Sequence, residues 1–111
     1  MKLTLDGLKA AASWEAAGVM LPKYEITAAA EAAKKAPVWV HFGAGNIFRI
    51  FLGSLADRLI AEGELAQGIN CVETYDFDII DKIYRPYDNL VLGVTLKETH
   101  SSVRPIRCWR S

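Results

Sequence analysis

Two glycines spaced one residue apart, directly after an apolar run, constrain the fold of this chain most. Residues 38–42 are rich in valine and aromatic side chains, Gly43 and Gly45 follow, and an amphipathic segment begins at Asn46. Glycines allow a tight turn and a close approach of the backbone to a ligand, and the N-terminus of a following helix offers free N–H groups to phosphates. The pattern predicts the strand–turn–helix opening of a dinucleotide-binding unit.

Length and charge narrow the class of protein. The 111 residues are enough for at most one small domain, and a hydrophobic content of 51% is enough for a core. Because 13 basic and 13 acidic residues balance, nothing points to nucleic acid or to an anionic membrane. No apolar run long enough to span a membrane and no secretory signal is visible. Cys71 and Cys108 lack metal-ligand spacing, so we expect reduced thiols, no metal and a cytoplasmic location.

Hydrophobic periodicity predicts an α/β fold in which strands alternate with helices. The predicted helices are 7–17, 27–35, 46–62 and 78–84, and the predicted strands are 38–42, 69–74, 90–96 and 103–109, the last two forming a hairpin around a turn at 98–102. This order is typical of a parallel sheet with right-handed crossovers. The continuous apolarity of 38–42 favours a strand buried on both faces. Thr27 is the expected N-cap of its helix, Gly63 a C-cap, and Pro105 favours an edge strand.

The residues of the glycine turn each have a functional and a structural interpretation. Gly43 and Gly45 would admit a pyrophosphate, or would form an ordinary strand-to-helix turn. The third glycine of the common fingerprint is replaced by Phe48, so we expect this helix to pack differently against its strand. Asn46 either caps the helix or donates to a phosphate. Arg49 either binds an anion as a charge-assisted fork or forms a surface ion pair with Asp57 or Glu73.

Acidic residues lie at or just past the end of the second predicted strand, where a dinucleotide-binding fold places the group that binds the adenosine ribose. Glu73 is the preferred candidate, and an acid there would favour NAD over NADP because it repels a 2′-phosphate. The alternatives are a solvated acid, or an N-cap formed by Asp76 or, preferably, Asp78. His41 is interpreted as a core residue, and no arrangement of side chains predicts a catalytic residue.

At this level of detail the chain resembles a known family. Residues 39–49, with the sequence Trp-Val-His-Phe-Gly-Ala-Gly-Asn-Ile-Phe-Arg, resemble the opening of the long-chain polyol dehydrogenases, the mannitol dehydrogenase family. The likeness continues through 73–76 and 84–90 and includes the preamble at 14–18 and 21–24. Ile50 departs from the pattern, since the family usually has a small residue there, and the tail from Thr99 onwards matches poorly.

The resemblance implies a partial Rossmann-like βαβ unit with N-terminal helices and a C-terminal β-hairpin. It divides the chain into a helical preamble, 1–36, and an incomplete NAD(P)-binding domain, 37–111. In the family a C-terminal domain supplies the catalytic lysine, asparagine and histidine, so no catalytic residue is assigned here. The implied cofactor-binding residues are Gly43, Ala44, Gly45, Asn46, Ile47, Phe48, Arg49 and Glu73, with NAD as the expected cofactor and NADP as the less favoured one.

The leading hypothesis is therefore the cofactor-binding segment of an NAD(P)-dependent oxidoreductase acting on a polyol or a sugar acid, inactive by itself. One alternative is a nucleotide-binding module without turnover. A second is a truncated remnant that binds no ligand and self-associates through uncovered sheet edges. Neither nucleic acid nor a membrane is an expected partner.

Overall fold

The computed structural model describes residues 2–96, 101–107 and 109–110. Its N-terminal part contains a 3₁₀ turn at Gly7–Lys9 and two helices, α1 at Ala11–Ala16 and α2 at Ile26–Lys35. The single helix predicted over 7–17 is wrong, because Ala10 has a non-helical backbone (φ −78°, ψ 53°) that separates the 3₁₀ turn from α1. Thr27 is not the N-cap either, since α2 begins one residue earlier.

The described residues contain five strands: β1 (Val40–Phe42), β2 (Asn70–Val72), β3 (Leu90–Leu96), β4 (Ser101–Arg107) and β5 (Trp109–Arg110). β1, β2 and β5 form a parallel sheet in the order β1-β2-β5. This is the order of the first three strands of a doubly wound fold, in which the second strand lies between the first and the third. The parallel sheet predicted from the alternation of strands and helices is confirmed, and it has one strand more than expected.

The extra parallel strand corrects the interpretation of the chain's last segment. β3 and β4 form the predicted antiparallel hairpin, in which Leu90 faces Arg107 and Leu92 faces Pro105. The return strand was predicted to continue to residue 109. It does not, because Trp109 pairs with Asn70 in the parallel sheet instead of with the hairpin. Of the predicted turn at 98–102, the first three residues lie outside the described residues and the last two belong to β4.

The segment after the glycines is helical from Asn46, as predicted. It passes through π-helical geometry at Phe48–Leu52 and continues as α3 at Gly53–Ala61. Gly63 has a φ of 79° just beyond the helix, which confirms its predicted place at the C-terminus. The predicted helix over 78–84 is also present, mainly as a π-helical segment, Ile80–Tyr84, followed by a 3₁₀ turn, Arg85–Tyr87. No helix among the described residues has the length and apolarity needed to cross a bilayer.

The core lies between the parallel sheet and the helix that follows the glycines. Its fully packed members are Ala44, Phe48, Ala56, Ile69, Cys71, Ile80 and Tyr84. The prediction that the first strand is buried on both faces is wrong, because Val40 and Phe42 keep 46% and 70% of their surfaces exposed. Successive side chains of a strand point to opposite faces, so the described residues cover one face of β1 and leave much of the other open.

Polar contacts fasten the N-terminal helices to the rest of the fold. The buried Asn70 of β2 donates from Nδ2 to Ala33 O in α2 at 2.9 Å, and Gly68 N donates to Ala29 O at 3.3 Å. Near the start of the chain, Leu5 N donates to a carboxylate oxygen of Asp88 at 2.8 Å. The position of α2 against β2 is therefore set in part by one buried amide side chain.

Candidate functional site

The glycine turn lies where the parallel strands β1 and β2 end. Gly43 has a φ of 109°, in the region that only glycine adopts readily, and its N–H donates to Val72 O at 2.8 Å. Gly45 O accepts the first helical hydrogen bond, from Arg49 N at 3.1 Å. A Cβ atom built on Gly43 or Gly45 would have no heavy atom within 4 Å. The turn therefore presents its backbone to open space at the carboxyl end of the sheet, where ligands bind in folds of this type.

Ala44, between the two glycines, is held on both sides of its backbone. Ala44 is fully buried. Its N–H donates to Glu73 Oε2 at 3.1 Å, and its carbonyl accepts from the Tyr84 hydroxyl at 2.8 Å. The Arg49 guanidinium donates to the same carbonyl at 2.9 Å and lies 5.8 Å from the centre of the Tyr84 ring. The conformation of the turn is thus fixed by side chains from three other parts of the chain.

Tyr84 is the member of this group that sequence reasoning missed. It is 1% exposed and belongs to the core. Its position four residues after Ile80 is typical of a packing residue on the same helix face. The available signal was its hydroxyl, because a tyrosine on a buried face must find a hydrogen-bond partner.

Glu73, the predicted ribose-binding acid, lies directly after β2 and beside the turn. Its Oε1 accepts from the backbone N–H groups of Thr74, Tyr75 and Asp76 at 2.9, 3.0 and 3.4 Å, while Oε2 takes the Ala44 N–H. The hydrogen bond from the Tyr75 N–H, followed by that from Ala44, lowers the pKa of the Glu73 carboxyl below its usual range. Glu73 is therefore a carboxylate at neutral pH and connects the ends of both strands.

The other predicted residues have distinct positions around the turn. Asn46 Oδ1 accepts a hydrogen bond from Arg49, so these two side chains form one polar unit at the start of the helix. Ile47 is 79% exposed, whereas Phe48 is 3% exposed and stacks on the ring of His41 with centroids 4.6 Å apart. Any contact of Phe48 with a ligand would have to come through its backbone.

Asp78 and Asp57 lie apart from the turn, whereas Cys71 contacts it. Asp78 pairs with Lys82 at 3.5 Å on the surface, and Asp57 accepts from the Tyr24 hydroxyl at 2.7 Å. The Cys71 thiol lies 3.4 Å from Gly43 O. Cys108 and His100 lie outside the described residues, among which no cluster of three potential metal ligands occurs.

Comparison with known proteins agrees with this geometry. Over 97 residues, which are 87% of the chain and 18% of the relative, the sequence is 43% identical to D-mannonate oxidoreductase of Thermotoga maritima. The fold matches mannitol 2-dehydrogenase of Pseudomonas fluorescens, solved as a ternary complex with NAD and D-mannitol, with a TM-score of 0.71, 23% identity, and coverage of 99% of this chain and 22% of that one. It also matches a substrate-free D-sorbitol dehydrogenase with a TM-score of 0.63, 22% identity, and coverage of 85% and 20%.

No family model matches the chain. The chain spans about a fifth of the length of the relatives that it does match. The 43% identity over most of the chain, together with the two shared folds, confirms the family that the glycine block indicated. The chain belongs to the mannitol dehydrogenase family, of which it represents an N-terminal portion.

Proposed function

We propose that this chain is the cofactor-binding segment of an NAD-dependent oxidoreductase that acts on a polyol or a sugar acid. The observation that carries the proposal is the glycine turn at the carboxyl ends of β1 and β2, with open space beside Gly43 and Gly45 and a helix that begins directly after them. Backbone N–H groups at such a helix N-terminus suit a pyrophosphate.

The cofactor-binding residues in this proposal have different tasks. Gly43, Ala44 and Gly45 form the turn that the pyrophosphate approaches, and the exposed Asn46 and Ile47 follow at the start of the helix. Arg49 contributes its charge beside Ala44 O, and the buried Phe48 anchors the start of the helix in the core. The donor set is rich in N–H groups and carries a guanidinium, which is the chemistry that an anionic dinucleotide needs.

Glu73 supports NAD rather than NADP as the cofactor. Its carboxylate stays charged, because backbone N–H groups lower its pKa, and it lies beside the glycine turn. A ribose with free hydroxyls can donate to such a group, whereas a 2′-phosphate would be repelled by it. The mannitol 2-dehydrogenase of similar fold was solved with NAD.

The reaction belongs to the complete enzyme. NAD supplies hydride transfer when it is bound, and residues of this chain would hold its pyrophosphate and adenosine half. The relative named D-mannonate oxidoreductase favours a sugar acid as the substrate. We also propose the division into a helical preamble, 1–36, and an incomplete Rossmann domain, 37–111, in a cytoplasmic protein, with catalytic groups supplied from outside this chain.

Calorimetric titration of the purified chain with NAD, NADH and NADP tests the proposal, with circular dichroism on the same sample. Saturable binding that is tighter for NAD than for NADP is the expected result. A folded chain that binds none of the three would refute the cofactor role and leave only the family's fold.

A second candidate, self-association, is favoured by the exposed side of β1. This strand lies at one edge of the parallel sheet, and Val40 and Phe42 add exposed apolar surface to it. Uncovered edges of this kind pair with other chains. Sedimentation equilibrium should then give a mass that rises with concentration, while a constant monomer mass would exclude this candidate.

A further inference from the structure

The orientation of one peptide unit decides what the glycine turn offers to a ligand. The Ala44 carbonyl points into the core, where the Tyr84 hydroxyl donates to it at 2.8 Å. A trans peptide is planar, so the N–H of the next residue points in the opposite direction to that carbonyl. With the carbonyl of Ala44 held inward, the N–H of the exposed Gly45 is turned outward, toward the open side of the turn.

The preceding peptide unit, between Gly43 and Ala44, also has its carbonyl directed at a core residue. Gly43 O faces the Cys71 thiol at 3.4 Å, and the N–H on the other end of that peptide, on Ala44, donates to Glu73 Oε2. The two successive peptides are therefore both anchored on their carbonyl side to core residues. They differ on their N–H side, because Ala44 donates to a side chain of the protein while Gly45 is directed toward open space.

We infer that Tyr84 is a positioning residue of the cofactor site, whose hydroxyl holds the Ala44–Gly45 peptide so that the Gly45 N–H faces the pyrophosphate of the dinucleotide. The inference rests on the proposed function. Both Ala44 and Tyr84 are almost completely buried, at 0% and 1% exposure, so water cannot easily replace the hydroxyl as the donor.

Arg49 reinforces this arrangement from the helix. Its guanidinium donates to the same Ala44 carbonyl and lies over the Tyr84 ring. Because Arg49 is half-exposed and also contacts Asn46, it is available to an anion in a way that the buried Tyr84 is not. The two residues thus have different roles, since Tyr84 fixes the orientation of the peptide and Arg49 adds a positive charge beside it.

Tyr84→Phe tests the inference, since it removes the hydroxyl and keeps the ring in the core. Tyr24→Phe is the matched control, because the Tyr24 hydroxyl makes a comparable hydrogen bond, to Asp57 at 2.7 Å, with no part in the turn. Each variant is titrated with NAD, with ADP and with adenosine, well below its melting temperature. Only NAD and ADP contain the pyrophosphate that would meet the Gly45 N–H.

Tyr84→Phe is expected to weaken NAD and ADP about tenfold, the size of one lost hydrogen bond, and to leave adenosine nearly unchanged. Tyr24→Phe should leave all three affinities at the wild-type level. A purely structural role of Tyr84 would lower the melting temperature without changing these affinities. Wild-type affinities in Tyr84→Phe, or an equal loss for all three ligands, would overturn the inference.

Nuclear magnetic resonance of the free chain separates this inference from the proposed function, because it needs no ligand. The carbonyl ¹³C shift of Ala44 and the amide ¹⁵N shift of Gly45 respond to a hydrogen bond on the carbonyl between them, so both should change in Tyr84→Phe and stay at the wild-type values in Tyr24→Phe. A wild-type chain that binds no NAD would refute the proposed function, and unchanged shifts at Ala44 and Gly45 in Tyr84→Phe would refute the role of Tyr84. If Tyr84→Phe fails to fold, the wild-type hydroxyl proton decides, since rapid exchange of that proton with water overturns the inference and slow exchange supports it.

Discussion

Valine placed at Gly43 and at Gly45 in turn should separate folding from cofactor binding. At Gly43 the obstacle is the backbone, since a φ of 109° is unfavourable for any residue with a Cβ and most of all for a β-branched one. The cost of such a conformation is about 1–3 kcal/mol. At Gly45 the φ is not positive and a Cβ meets no heavy atom within 4 Å. The cost there is the poorer helix N-cap, about 1 kcal/mol.

Thermal unfolding and NAD titration together measure the contrast. Gly43→Val should lower the melting temperature by at least about 4 °C for each kcal/mol lost. Gly45→Val should keep the far-ultraviolet dichroism and most of the stability but abolish NAD binding, because the side chain would fill the space that the pyrophosphate needs. Gly45→Ser, which can cap the helix, is the control for the cap. Unchanged NAD binding in Gly45→Val, or equal destabilisation by both valines, would show that the turn does not work as described.

Three further predictions concern polar side chains. Glu73→Ala should weaken NAD binding more than NADP binding in parallel titrations, and an equal loss would mean that this acid does not distinguish the two. Since the folded-state pKa of Glu73 is lowered, its stabilising effect is present above the ordinary value of 4.5 and is lost as the pH falls through the folded-state pKa. The melting temperatures of wild type and Glu73→Gln should therefore differ at neutral pH and converge as the pH falls below 4.5. Asn70→Ala should cost about 1–3 kcal/mol in chemical denaturation by orphaning Ala33 O. Gln67→Ala is the control, because the Gln67 side chain accepts an exposed hydrogen bond from Val38 N at 3.1 Å, and an effect of Asn70→Ala smaller than that of the control would contradict the role of the buried amide.

The sequence predicted the parts of the fold that depend on local pattern. The helix from Asn46, its end at Gly63 and the β3–β4 hairpin follow from periodicity and from glycine, which act over a few residues. Two failures are local, the break at Ala10 and the N-cap at Thr27, and the others are of longer range. The third parallel strand at Trp109 depends on pairing with Asn70, 39 positions earlier in the register, and no local signal separates it from the end of a hairpin strand.

The prediction of a doubly buried first strand failed for a related reason. Apolar side chains indicate that a strand is suited to burial. They do not indicate whether another element covers that strand. Val40 and Phe42 are suited to a covered sheet, yet the described residues leave them largely exposed. The chain covers only about a fifth of its relatives' length, and the apolar character of β1 agrees with a sheet that is covered in a longer protein of the family.

The candidate site illustrates the same division between local and distant information. Its glycines could be read from the sequence because a missing Cβ is a property of a single position. Tyr84 could not, because its importance depends on a carbonyl 40 residues away that has no side-chain identity of its own. A site built from backbone N–H groups tolerates many side chains at its surface but depends on whatever fixes the peptide planes beneath it. Residues that fix these peptide planes, such as Tyr84, resemble ordinary core residues in a sequence. They differ from core residues only in the backbone group to which their polar atom is hydrogen-bonded.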